Sequence, residues 1–224
     1  MKVPITESQW LAANTWGTVC EVVQKRQNAR KMRLFGCACC RRLGTLLTDE
    51  RSLAAVEVAE RFADGTAART ALDGARAAAS DALNDLGQTP YKWEPDGWAA
   101  VAVATAAHGT AKIYFRLAAT RAAEAISQAG VRTRAAEEAI QLGLLRDIFG
   151  NPFRPVPFDP NWLTSAVTGL ARQMYDSRDF TPMPILADAL QDAGCTSDVI
   201  LTHGREPGPH TRGCWVVDAC LGKA

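Results

Sequence analysis

Polar helix starts and glycine stops recur from one end of this chain to the other, and no alternating apolar and polar run of strand length interrupts them. A helix buries one stripe of side chains and a half-buried strand every second residue, so this punctuation restricts the chain to an all-α fold. Thr6 with Gln9 reads as a capping box for a short helix carrying Trp10 and Leu11. Asn28 precedes a helix of about five turns, Thr48 or Asp49 starts the next, and Gly65 supplies its left-handed stop. Thr66 opens an alanine-rich helix that ends at Gly87.

The stretch Gln88 to Gly97, with Pro90, Pro95 and Asp96-Gly97, predicts a loop anchored by Trp93 and Trp98. Helical pattern resumes from Trp98 to Ala129 with a break at Gly109, and Thr133 caps a further helix to Phe149. Alanine dominates this middle third, and small side chains let helices approach closely, so residues 1–150 predict a tight antiparallel bundle.

At Gly150 the composition changes. Asn151 to Phe158 holds three prolines and two phenylalanines in eight residues, which excludes a helix and predicts an ordered strap lying against the bundle. Asp159 as N-cap and Pro160 at the first helical position start a helix through Tyr175. Shorter helices follow near Met183 to Ala193, Ser197 to His203 and Arg212 to Leu221. Residues 151–224 thus form a strap and a compact helical C-terminal subdomain packed on the bundle, the whole being one folding unit.

With 25 basic and 24 acidic residues the net charge is +1, so any attraction to nucleic acid or an anionic membrane must be local. The most apolar region, Trp98 to Ala107, is about half of the ~20 residues that a membrane span needs. The N-terminal residues lack the pattern of a targeting segment, and the expectation is a cytoplasmic protein with no membrane association. Its seven cysteines then read as thiols or metal ligands rather than disulfides.

Two segments bear chemistry. Between Val22 and Thr48 lie seven basic residues, no acidic one, and the run Cys37-Ala38-Cys39-Cys40. At 100° per residue Met32, Phe35, Cys39, Cys40, Leu43, Leu46 and Leu47 share one face, flanked by Arg30, Arg33 and Arg41 on one side and Lys31 and Arg42 on the other. Buried cysteine packs as a small hydrophobe, which is the simplest role for these thiols. The basic flanks, with Arg30, Arg33, Arg41 and Arg42 foremost, offer an anion-binding face, unless the acidic residues of the next helix neutralise them.

The second segment is the series Cys195, His203, His210 and Cys214. All four fall near predicted element ends, where ligands from separate short elements can converge, and thiolate with neutral imidazole suits zinc. The spacing matches no standard zinc finger. A nucleophilic use of Cys214 with His203 or His210 as base is the enzymatic alternative, without a supporting motif. Phosphate loops, His-Glu-x-x-His and Gly-x-Ser-x-Gly are missing.

The stretches Lys31 to Gly65, Leu144 to Val156, Pro184 to Cys195 and Pro207 to Lys223, with LFGCACCRRL, LLRDIFGNPFRPV and PGPHTRGCWVVD within them, resemble a family of uncharacterised proteins from planctomycete bacteria. The resemblance implies a single helical architecture and no particular activity. Relatives in that family often carry cysteine at the position of Gly204, and this departure weakens a metal role for the loop or shifts its ligand set. The reading is a non-enzymatic interaction or scaffold module with a protein partner, carrying a structural zinc at Cys195, His203, His210 and Cys214. The alternative is an enzyme, or a protein that binds an anion or nucleic acid through its basic cysteine-rich helix.

Overall fold

The computed structural model describes residues 5–26, 28–87 and 94–223. Among them there are twelve α-helices, two 3₁₀ turns and no strand. The chain divides by its contacts into residues 1–142 and 143–224, so the division falls seven residues before the change of composition at Gly150.

The first unit holds α1 (Glu7–Ala12), α2 (Trp16–Arg26), α3 (Ala29–Arg41), α4 (Glu50–Ala63), α5 (Arg69–Asp85), α6 (Pro95–Ala106), α7 (Ala111–Gln128) and the start of α8 (Arg134–Phe149). Side chains that compete for backbone hydrogen bonds mark the starts, as expected. Thr6 and Gln9 close their capping box, Asn28 Oδ1 accepts from Lys31 N at 2.9 Å, and Asp49 Oδ1 accepts from Arg51 N at 2.8 Å. Gly65, at φ +73°, ends α4 with Thr66 N donating to Arg61 O. Thr66 therefore closes α4 rather than opening α5, whose own cap position, Ala68, has no side-chain bond.

Two other expectations shift. The five-turn helix after Asn28 stops at Arg41 and is followed by a 3₁₀ turn at Gly44–Leu46. The helix expected from Trp98 begins at Pro95, whose missing N–H costs nothing in a first turn. Residues 88–93, including Trp93, lie outside the described residues.

The middle of α3 is buried on every side from Met32 to Cys40, not along one stripe, because α4, α6 and α7 all pack on it. Gly36 lies at this contact, where a β-carbon would meet the Ala106 and Ala118 side chains at the ordinary van der Waals distances of 3.6 and 3.7 Å. The alanine seams thus set the helix spacing, and Trp16, Phe35 and Phe115 fill the wider end with ring centroids 5.5 and 6.2 Å apart.

The second unit contains the end of α8, α9 (Ser165–Ser177), α10 (Met183–Asp192), α11 (Asp198–Arg205) and α12 (Trp215–Cys220). Asp159 and Pro160 do start a turn, but it is a 3₁₀ turn that closes at Trp162. The α-helix restarts under a new cap, with Thr164 Oγ1 accepting from Val167 N. Val167, Met174, Leu186, Leu190, Ile200 and Val217 centre the core, and Val156 and Phe158 of the strap pack against it. Of the strap's larger apolar side chains, Phe153 is instead exposed. Among the described residues no helix is long and apolar enough to cross a membrane.

Candidate metal centre

Four separate segments of the second unit bring one donor each to a common point. Asp147 stands in the last turn of α8 and His203 in the last turn of α11. His210 lies in the loop that follows, and Cys214 is the N-cap residue of α12. Their donor atoms all lie within 4.8 Å of one another, so the group can hold a metal ion.

Close packing at glycines lets these elements meet. A β-carbon on Gly143 would sit 3.1 Å from Pro209 Cγ, so the absent side chain admits the Pro-Gly-Pro loop that carries His210. Gly150 at φ +62° lies under the Trp215 ring, next to Cys214, and the same ring packs on His203 with centroids 5.1 Å apart. A β-carbon on Gly204 would approach the Ala187 side chain to 2.9 Å, so this glycine sets how closely α11 lies on α10 and hence where His203 stands.

His203 Nε2 is 3.2 Å from Asp147 Oδ1 and 3.2 Å from Cys214 Sγ. His210 Nδ1 is 2.7 Å from the same Oδ1, and Thr211 N donates to Asp147 Oδ2 at 3.0 Å. Zinc bonds of about 2.0–2.3 Å place tetrahedral ligand atoms about 3.3–3.8 Å apart, so small adjustments of these side chains would satisfy such an ion. One carboxylate, two imidazoles and one thiol are a borderline donor set of the kind zinc accepts. His210 Nε2 is buried and has no hydrogen-bond partner among the described residues, which leave this polar atom unsatisfied.

Charge is finely opposed within the group. Burial pushes the Asp147 carboxyl up, but hydrogen bonds from His203 and His210 outweigh it and hold the group below its ordinary value. Burial and then the neighbouring Asp147 charge push the Cys214 thiol well above the usual range, against the pull of the Val217 and Val216 backbone N–H groups. Without a cation the sulfur is a thiol, and a bound cation would make it a thiolate.

The same distances speak against a nucleophilic cysteine. In a catalytic triad the imidazole faces its nucleophile with one nitrogen and its orienting carboxylate with the other. Here a single nitrogen, His203 Nε2, faces both sulfur and carboxylate. Cys214 is also fully buried, and a cavity of 170 Å³ beside the cluster is lined by Asp147, His203 and His210 but not by the sulfur.

Of the four ligands expected from sequence, His203, His210 and Cys214 come together. Cys195 does not: it is buried among the apolar residues of the second core, near Cys220. Asp147 takes the fourth place. Two signals for it stand in the sequence: it is an acid set among Leu144, Leu145 and Ile148, and it occupies a helix C-terminal turn, where the backbone dipole disfavours negative charge.

The four arginines expected to form an anion-binding face, Arg30, Arg33, Arg41 and Arg42, have protein partners. Arg30 pairs with Asp64 at 3.1 Å, Arg41 with Glu60 at 2.6 Å, and Arg42 grips Glu137 through Nε and Nη2, the latter at 2.7 Å. Arg33 donates to the Ala106, His108 and Gly109 carbonyls, closing the C-terminal end of α6. Arg41 and Cys40 border a cavity of 240 Å³ with Leu47, Leu53 and Val56, but no second arginine and no histidine lines it. Cys37, Cys39 and Cys40 are fully buried, and burial pushes all three thiols well above the usual range.

No protein-family model matches the chain, and neither a curated protein nor a solved structure does.

Proposed function

We propose that this protein is a helical interaction or scaffold module whose second unit is braced by a zinc ion held by Asp147, His203, His210 and Cys214. One observation carries the metal reading: a single nitrogen, His203 Nε2, lies 3.2 Å from both a buried carboxylate and a buried thiol, an arrangement suited to ligands around a cation. The short elements α11 and α12 and the loop between them have modest helical stability of their own, so an ion joining them to the end of α8 adds the cross-link they lack. The helical bundle of the first unit supplies support and surface. With Arg30, Arg33, Arg41 and Arg42 engaged within the protein, the basic helix supports a protein partner better than nucleic acid.

Protein purified without chelator or affinity histidines should contain one zinc per chain by elemental analysis, and His203→Ala should abolish it. Unchanged zinc content in that variant, or no zinc after reconstitution of the native chain, would remove the proposal.

A further inference from the structure

Positive charge gathers at a corner of the first unit, residues 107–110 between α6 and α7, from three places distant in sequence. Arg33 reaches it from α3 as a buried side chain and donates to the Ala106, His108 and Gly109 carbonyls at 3.1, 2.8 and 3.2 Å. These oxygens satisfy its hydrogen bonds, but among the described residues no carboxylate pairs with its charge. The C-terminal dipole of α6 returns about half a charge, and buried charges are ordinarily paired in full.

Arg69 and Arg76 add two more cations from α5, where they stand two turns apart with Asp73 between them on the same face. Arg69 Nε donates to both Asp73 oxygens at 3.1 and 3.0 Å. Its guanidinium lies over Gly109, where a β-carbon would be 2.8 Å from Cζ, so the glycine lets this cation reach the corner. The Arg76 guanidinium has no hydrogen bond or ion pair to any described residue.

His108 completes the set. Thr110 N donates to its Nδ1 at 3.1 Å, which leaves the ring proton on Nε2, a donor with no partner among the described residues. The ring packs on Tyr114 with centroids 3.9 Å apart, which fixes its plane. Burial, then the charges of Arg76, Arg33 and Arg69, hold this imidazole below its ordinary pKa against the pull of Asp73, so it is neutral at neutral pH. Three guanidinium groups and one carboxylate thus surround a neutral N–H donor. A carboxylate ligand would leave part of that charge excess unmatched, whereas a phosphate monoester carries about −1.5 to −2 and accepts the forked donors of arginine.

We infer that this corner is an anion site that takes a phosphoryl group, bound by the Arg76 guanidinium and the His108 Nε2–H with Arg69 beside them. The site is independent of the metal reading. The phosphoryl group can come from free phosphate or from a phosphorylated side chain of a protein partner, and the chemistry that recognises it is the same.

The full chain is titrated calorimetrically, at constant ionic strength, with inorganic phosphate and separately with phosphoserine blocked at both ends. Saturable binding is expected, and the side-chain Nε2 signal of His108 in proton–nitrogen spectra, assigned with His108→Asn, should move with it. Arg76→Met removes a half-exposed side chain that braces nothing, so it should fold normally and weaken the anion about 10- to 100-fold, the worth of a hydrogen bond to a charged group. Arg172→Met, in the second unit, should keep the native affinity. Tighter binding of the blocked phosphoserine assigns the group to a phosphorylated partner, and tighter binding of inorganic phosphate assigns it to the free anion. No saturation by about 10 mM of either probe would overturn the site, as would equal binding of blocked serine without phosphate. Saturation with the His108 signal unmoved, native affinity in Arg76→Met, or an equal loss in Arg172→Met would overturn its placement at this corner.

Discussion

Replacing Asp147 with asparagine separates a metal ligand from a buried hydrogen-bond acceptor, because the two roles predict different responses to zinc. In the metal-free protein the carboxylate accepts from Thr211 N at 3.0 Å and faces His210 Nδ1 and His203 Nε2 at 2.7 and 3.2 Å. Asparagine keeps one acceptor oxygen for Thr211 and presents an uncharged amide to the histidines. With a hydrogen bond to a charged group worth about 1.5–3 kcal/mol, and the imidazole tautomers free to adapt, the second unit should lose about 2–3 kcal/mol. That loss depends on pH in a definite direction. The folded carboxyl titrates below its unfolded value, so its stabilisation is complete above the ordinary carboxyl pKa and vanishes as pH falls through the lowered folded value. Zinc enlarges the difference. Free ion at about a thousandfold over its dissociation constant stabilises the native chain by about 4 kcal/mol. Loss of an anionic ligand should weaken binding by more than the 10- to 100-fold of an outer-shell partner, taking away at least about 1.4–2.7 kcal/mol of that gain. Hydrogen exchange of the amides in α11 and α12 is the suitable assay, since global unfolding would mix two contact units. Equal zinc-induced protection in native and Asp147→Asn protein would refute the ligand role, and a metal-free difference that survives at the acid end would refute the electrostatic account.

Zinc affinity should rise with pH through neutrality, because binding must displace the proton from a thiol whose burial and acidic neighbour hold it well above the usual range; calorimetry in buffers of different ionisation enthalpy would count the released proton. Glu137→Ala should destabilise the first unit by about 2–4 kcal/mol, since it leaves Arg42 without its buried partner while the 38 % exposed Arg132 can turn to water; the denaturant midpoint reports it, and adding Arg42→Met should restore part of the loss. Cys37, Cys39 and Cys40 should resist thiol reagents in the native protein and titrate in denaturant, whereas rapid native labelling at any of them would contradict their burial. Gly204→Cys should cost about 1–3 kcal/mol by overpacking against Ala187 and should lower zinc affinity by displacing His203, read by exchange protection and metal titration together.

Local chemistry in the chain determined much of this structure. The Thr6, Asn28, Asp49 and Thr133 starts and the Gly65 stop each act within a few residues, so they are readable without knowing what packs where. The breaks at Gly109 and Gly150 are legible for the same reason, as is the nonhelical strap. The roles of the arginines were half visible: an acidic helix follows the basic one in sequence, and it does supply Asp64 and Glu60. Glu137, 95 residues from Arg42, was not visible, because no short-range pattern encodes such a pairing.

The candidate metal cluster divides along the same line. Histidine and cysteine near element ends marked out His203, His210 and Cys214, since those residue types have few other reasons to gather there. Whether Cys195 or Asp147 completes the set depends on how α8, α11 and α12 meet, and that is decided by three close contacts: Pro209 on Gly143, Trp215 on Gly150, and Ala187 on Gly204. A sequence specifies its caps through neighbours it carries beside them, but it fixes the fourth donor only through the packing of distant side chains, which puts Cys195 in an apolar core and leaves a buried carboxylate facing two imidazoles.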